Sequence, residues 1–177
     1  MTNDKRKEKI MDFLKNPSKK ILILDRNKKY GAVSEWWRIR TPLKVPLNFI
    51  VIQLCKLCPS MKLKRVLLRG VGIKIGKNVS LAPSHFDSVF PELISIEEYS
   101  IIGNKVHIMT HEFTRSKIRL GKVHIGKNVL IGAFSVIRSG VNIGENSTVS
   151  MFSLVNKDIP SNELWGGIPA KKISKLK

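Results

Sequence analysis

The sequence predicts a mainly β chain, a solenoid of short parallel strands over residues 71–177, preceded by a helical extension over 1–70. Two observations lead to this. Aliphatic residues recur at every sixth position over 125–160, a period that suits neither an α-helix, at about 3.6, nor an alternating strand, at about 2. Before residue 70 the repeat is absent, and apolar residues take helical spacing among a surplus of Lys and Arg. With 177 residues, 42% of them apolar and 25% charged, the chain suits one globular domain with an extension, which excludes wholesale disorder.

In chain order the extension comes first. Residues 1–29 are Lys-rich and are expected to form a short helix over 5–14 and then a mobile stretch. Trp36, Trp37, Arg38 and Arg40 precede Pro42 and Pro46, both expected to break structure. From 47 to 69, Phe49, Ile50, Ile52, Leu54, Leu57, Met61, Leu63, Val66 and Leu67 read as one or two amphipathic helices. Lys56, Lys62, Lys64, Arg65 and Arg69 lie on their other side. Such helices suit a cap over the solenoid's open end. Cys55 and Cys58 form a lone CxxC without the second pair that a zinc site needs, and read as two buried helical thiols.

Charge separates the two parts. Lys and Arg outnumber Asp and Glu by 32 to 13, and +14 of the net +19 falls within residues 1–74. That surplus suits an anionic membrane surface, nucleic acid or a polyanionic substrate; no nucleic-acid motif accompanies it. Trp and Lys/Arg together favour in-plane contact with anionic lipid. The longest apolar run, 47–58, is interrupted by Asn48, Gln53 and Lys56 and falls short of the roughly 20 residues of a membrane span. No secretory signal opens the chain, so a cytoplasmic location, peripheral to the inner membrane face, is expected.

The repeat then organises the rest. From Ile125 the chain divides into IGKNVL, IGAFSV, IRSGVN, IGENST, VSMFSL and VNKDIP, opened by Ile125, Ile131, Ile137, Ile143, Val149 and Val155. Ile, Leu and Val make up 52 of the 177 residues, so chance rarely puts six such residues in one frame. The same frame runs upstream as IGKNVS (75–80), LAPSHF (81–86), IEEYSI (96–101), IGNKVH (102–107) and IMTHEF (108–113). A triangular coil turns every first residue inward, one hexad to each flat face, with Gly or Asn at positive φ easing the corners. One rung cannot bury its own aliphatics, and about five are expected. The frame breaks twice, so that 87–95 bulges by three residues and 114–124 carries a protruding loop. Insertions on a solenoid mark its working face.

The hexads, the segment IMTHEF and the ending GGIPAKKI together resemble the hexapeptide-repeat acyltransferases, which include maltose and galactoside O-acetyltransferases. The resemblance covers about 71–177 and implies a left-handed parallel β-helix, a hand that the period alone does not decide. It implies a homotrimer with acetyl-CoA in the groove between neighbouring coils, no metal, and a carbohydrate acceptor. By position His111 matches the family's general base, with backbone N–H groups on the oxyanion. Ala133, Met151, Asn156, Lys157 and Lys171, with Lys172 nearby, match sites that line coenzyme A. Leu130 stands where many members carry a Trp, and Met151 is bulkier than the usual small residue. Asp87 and Glu112, beside the two frame breaks, are candidates to orient His111 or to bind a sugar hydroxyl. His85 and His107 end their hexads and are expected at corners, and His124 closes the loop.

Two other classes fit the same coil. A γ-type zinc carbonic anhydrase would need three His converging across a trimer interface, and His107 and His111 are four apart where that family uses five. A non-catalytic β-helix assembly module would have no affinity for coenzyme A.

Overall fold

In the computed structural model, which describes residues 3–26 and 36–176, the repeat winds into a parallel β-helix and the extension covers one end and one flank of it. Helix α1 (Asn3–Lys15) is followed by strand β1 (Ile21–Asp25), so the stretch expected to be mobile contains a strand; 27–29 lie outside the described residues. A single turn, α2 (Trp36–Ile39), leads to α3 (Lys44–Leu57) and α4 (Met61–Gly70). Pro46 does not break the chain. It sits in the first turn of α3, where a backbone N–H has no partner within the helix. Extended Cys58, ahead of Pro59, ends α3, and Ser60 caps α4 by accepting from Leu63 N at 3.4 Å. Cys55 is buried but Cys58, past the last turn, is only half-buried, which corrects the expectation of two buried thiols.

The first rung of the coil comprises β2 (Lys74–Ile75), β3 (Ser80–Leu81) and β4 (His85–Phe86). The second comprises β5 (Ile94–Ile96), β6 (Ile101–Ile102) and β7 (His107–Ile108). A hairpin, β8 (His111–Phe113) and β9 (Lys117–Gly121), then leaves the coil. Winding resumes with β10 (Val123–Ile125), β11 (Leu130–Ile131) and β12 (Val136–Ile137). The fourth rung is β13 (Asn142–Ile143), β14 (Thr148–Val149) and β15 (Leu154–Val155). A fifth is only begun. Ile159 bridges to Ile143, β16 (Glu163–Gly166) pairs with β14, and β17 (Lys171–Lys175) folds back antiparallel on β16.

Register confirms the hexad frame. Ile75, Ile96, Ile125 and Ile143 stack on one face, and Leu81, Ile102, Ile131 and Val149 on the next. The third face stacks Phe86, Ile108, Ile137 and Val155, and all twelve side chains are buried. Here the frame slips. The inward residue of the first rung is Phe86, five rather than six after Leu81.

Corners turn through left-handed residues three places after an inward aliphatic: Asn78, Tyr99, Lys105, Asn128, Phe134, Asn146 and Phe152 among them. Gly or Asn was expected there; Asn holds three of these corners and Gly140, three places after Ile137, another, while the repeated Gly that follows the inward aliphatic serves close approach between rungs. A Cβ on Gly132 would lie 2.4 Å from the backbone nitrogen of Met151, because parallel rungs sit about 4.8 Å apart. Equivalent corners stack like residues: Asn128 donates to Asn146, and Asn146 to Asn162, both at 3.1 Å, while Phe134 and Phe152 lie ring on ring at 4.8 Å.

The first rung has no rung below it, and its carbonyls would be left bare. Helix α4 supplies donors instead. Lys64 Nζ reaches Leu81 O at 3.1 Å, Arg65 reaches Val79 O at 3.1 Å, and Arg69 Nε and Nη2 both reach Ile75 O. These three basic residues therefore face the coil, not the solvated side on which the helical spacing places them. Ile52, Cys55 and Leu68 add their apolar surface to the coil's core. The loop of 114–124 is largely the β8–β9 hairpin, and β9 pairs antiparallel with β1. A second core, with Ile10, Phe13, Leu24, Phe90, Ile118 and Leu120, fills the space between α1, β1 and the hairpin.

Candidate active site

His111 stands three residues after inward Ile108, the place of a corner residue. It is not left-handed; the chain continues extended into β8 and carries the imidazole out of the coil. Asp87, one residue past inward Phe86 in the rung below, donates its N–H to Ile108 O at 3.2 Å and so lies beside the same bend. The two breaks in the repeat thus meet on the third face.

The Asp87 carboxylate is buried and filled with donors. Oδ2 accepts from His111 Nδ1 at 2.5 Å and from Thr110 N at 3.0 Å; Oδ1 accepts from Val89 N at 2.8 Å and Phe90 N at 3.2 Å. Burial opposes its ionisation, but the hydrogen bond and charge of His111 and the bonds from Thr110 outweigh burial and hold the carboxyl at about 2. At neutral pH Asp87 is then an acceptor only. Nδ1 of His111 must carry the proton of the shared bond, so in the neutral imidazole the lone pair is on Nε2. Phe90 and Phe113 stand edge-on to the ring at 6.2 and 5.1 Å and fix its plane. One edge of the imidazole lines a cavity of about 240 Å³ between the third face and α3, whose far wall includes Phe49, Gln53 and Lys56.

Glu112 is taken elsewhere. Successive residues of a strand face opposite ways, and its carboxylate receives Arg138 at 2.9 and 2.8 Å and Ser139 Oγ at 2.6 Å. Burial raises its pKa, but these bonds lower it further, and the group pins the hairpin to the third rung. His85 and His107 are not at corners. They face outward from β4 and β7 in adjacent rungs, their rings stacked at 4.2 Å. His124 lies in β10 with Nε2 3.5 Å from Glu97.

None of the six residues matched to coenzyme A sites lines the cavity beside His111. Ala133 and Met151 stand on adjacent rungs, joined through Phe152 N to Ala133 O at 3.0 Å, and Met151 is 63% exposed. With Leu130, Phe134 and Phe152, also exposed, they form an apolar strip on the outer surface. Ala170 N donates to Leu154 O at 2.8 Å, which brings the start of β17, with Lys171, beside the end of β15, where Asn156 and Lys157 follow. The Lys172 ammonium is bound to Glu163. Among the described residues no three His, Cys, Asp or Glu side chains are gathered as a metal site.

The contribution of α3 was not anticipated. Asn48 donates to Ser88 O at 3.0 Å and steadies the bend that holds Asp87, while Gln53 and Lys56 line the cavity. These are the three polar residues that interrupt the apolar run of 47–58, which was their visible signal.

A parallel β-helix with a carboxylate-held imidazole beside a cavity fits a transferase, and comparison with known proteins gives the family. A family described as "Bacterial transferase hexapeptide (six repeats)" matches residues 122–157. YvoF of Bacillus subtilis (strain 168), which carries an acetyltransferase name, is 41% identical over 84% of this chain and 89% of its own. The galactoside O-acetyltransferase of Escherichia coli (strain K12) is 34% identical over 59% of this chain and 44% of that protein. A hexapeptide-repeat acetyltransferase from Vibrio cholerae O1 biovar eltor, solved with acetyl coenzyme A, shares the fold. Its TM-score is 0.59 at 21% identity, covering 84% of this chain and 92% of that one. The chain belongs to the hexapeptide-repeat acetyltransferases.

Proposed function

We propose that this acetyltransferase moves the acetyl group of acetyl-CoA to a hydroxyl of a sugar or glycan precursor, with His111 as general base and Asp87 as its positioning residue. The observation that carries the reading is the His111–Asp87 pair opening on a cavity at the bend of the third face. Nε2 of His111 takes the proton of the attacking hydroxyl and returns it to the departing thiolate. Asp87 keeps the imidazole in one tautomer and offsets the positive charge that it gains. Acetyl-CoA fits the apolar strip of Leu130, Ala133 and Met151, with Lys157 and Lys171 beyond it for the phosphates. The strip is open on this chain, which supports a homotrimer whose seams close over the donor. In this reading 71–177 is the acyltransferase domain and 1–70 its covering extension. The sugar class rests on the galactoside O-acetyltransferase relative. The test is thiol release from acetyl-CoA with a panel of sugars, beside a mass measurement in solution. Acceptor-dependent release from a particle of about three times 20.0 kDa is expected. No acetyl-CoA binding, or release that no sugar alters, would sink the reading.

The same proposal places the enzyme against an anionic membrane face. Leu43, Leu47, Ile50, Leu54 and Leu57 form one exposed stripe at the start of and along α3, at helical spacing, with no partner among the described residues. Around it residues 36–86 hold ten Lys and Arg and no Asp or Glu. An apolar stripe framed by basic charge fits the interface of an anionic bilayer; no helix among the described residues is long and apolar enough to cross one. The protein should sediment with phosphatidylglycerol vesicles at low salt and not with phosphatidylcholine alone. Leu47→Asp with Leu54→Asp should release it; equal sedimentation of that variant would discard the lipid contact.

A further inference from the structure

The cavity beside His111 has a composition that a neutral sugar does not call for. Sites for hydroxyl groups mix carboxylates and amides, each able to accept a hydroxyl proton. Here the carboxylate at hand, Asp87, has its oxygens occupied by His111, Thr110, Val89 and Phe90. What faces the space is basic: Lys56 from α3, His85 from β4 and His107 from β7, with the Gln53 amide between polar and apolar walls. Among the described residues no carboxylate pairs with any of these three basic groups. Lys105 adds to the positive field at His85 from the neighbouring corner. Nδ1 of His85 is enclosed and has no hydrogen-bond partner. Burial, then Lys56, His107 and Lys105, push the His85 imidazole toward its neutral form, and burial does the same to the Lys56 ammonium. Groups that carry or can take up positive charge are thus crowded where, among the described residues, no carboxylate is paired with them, and a bound anion would relieve that.

We infer that this cavity is the binding site for an anionic group carried by the acceptor, a carboxylate or phosphate on the sugar, held by Lys56, His85 and His107. The inference rests on the reading of His111 as the base, because the same cavity is lined by that imidazole and the anion would seat the neighbouring hydroxyl against it. The phosphates of coenzyme A are the other source of negative charge. They lie a full pantetheine arm from the thioester, and so away from a cavity that His111 itself lines.

The chain has four His, at 85, 107, 111 and 124, so histidine-selective labelling gives an NMR spectrum that single substitutions assign. Glucuronate and glucose 6-phosphate should displace the His85 and His107 signals, leave His124 in place, and do so where glucose does not. Lys56→Met should raise the concentration for half-displacement about tenfold, the loss of one charged hydrogen bond. His85→Gln, which keeps a polar side chain of similar bulk, should abolish the preference for the charged sugars if Lys56→Met proves poorly folded. An equal response to glucose, or none to either charged sugar at millimolar concentration, overturns the inference. So does displacement of the same two signals by coenzyme A alone, in competition with the sugars. Calorimetry with acetyl-CoA on the same sample separates the two readings: a protein that binds the donor and ignores anionic sugars loses only the anion site, whereas one without donor affinity loses the transferase reading.

Discussion

His111→Ala should lower acetyl transfer by about 10²- to 10⁴-fold, the range that general-base catalysis supplies. The substitution removes the Nε2 lone pair and leaves the attacking hydroxyl to lose its proton to water. It should leave the fold standing. His111 is half-buried, its strand keeps its pairing with β9, and the second core under the hairpin is built from Ile118, Leu120 and Phe90. Affinity for acetyl-CoA should be unchanged, because none of the residues assigned to the donor lines the cavity beside His111. Steady-state rates, calorimetry and thermal melting on wild type and variant check the three parts. Equal turnover would remove His111 from proton transfer; a collapsed melting temperature would make the rate uninformative, and His111→Asn would then replace it.

The second large effect is expected from Asp87→Asn, in turnover and in stability together. The amide can still accept from Val89 or Thr110 but no longer holds an anionic partner against Nδ1, so the imidazole is free to take the unproductive tautomer. A comparable change in the serine-protease triad costs about 10⁴ in rate, and we expect 10² or more here, at about that lower bound. For stability the sign follows from the shift. The carboxyl ordinarily near 3.8 sits at about 2 when folded, so the folded state favours the ionised form. The gain is fully present above about pH 4 and disappears as the pH falls through 2, and it amounts to about 2 kcal/mol. At neutral pH the variant should melt about 5 °C lower. Its stability should also change less than that of wild type between pH 4 and 2, as read by denaturant titration. A variant whose acid profile overlays that of wild type would show that the buried bond is not what holds this carboxyl ionised.

Much of the fold was legible because the hexad repeat is a one-dimensional statement about burial. The inward positions from Ile75 to Val155 had to be apolar for the coil to have a core, all of them aliphatic but Phe86, and their spacing named the architecture. The breaks were legible for the same reason: a regular coil has no place for extra residues, and both insertions converge on His111 and Asp87. Where the reading erred, the cause lies between rungs and not within one. Gly132 follows its inward aliphatic in the hexad, yet what demands its missing Cβ is Met151 in the next rung. Lys64, Arg65 and Arg69 looked solvated because their spacing put them opposite the apolar face, yet the bare carbonyls of the first rung draw them in.

Periodicity alone determined the β-helix, the count of its faces and the place where the chain departs from it, since six-residue spacing records which way each side chain must point. The tertiary structure decided the partners. It chose Asp87 over Glu112 for the imidazole and brought α3 in as a wall of the cavity. It also turned His85 and His107 into a stacked pair. Those outcomes depend on the register between rungs and on helices packed from forty residues away. Distances of that kind are set by the packing of the whole chain, and no local pattern of residues carries them.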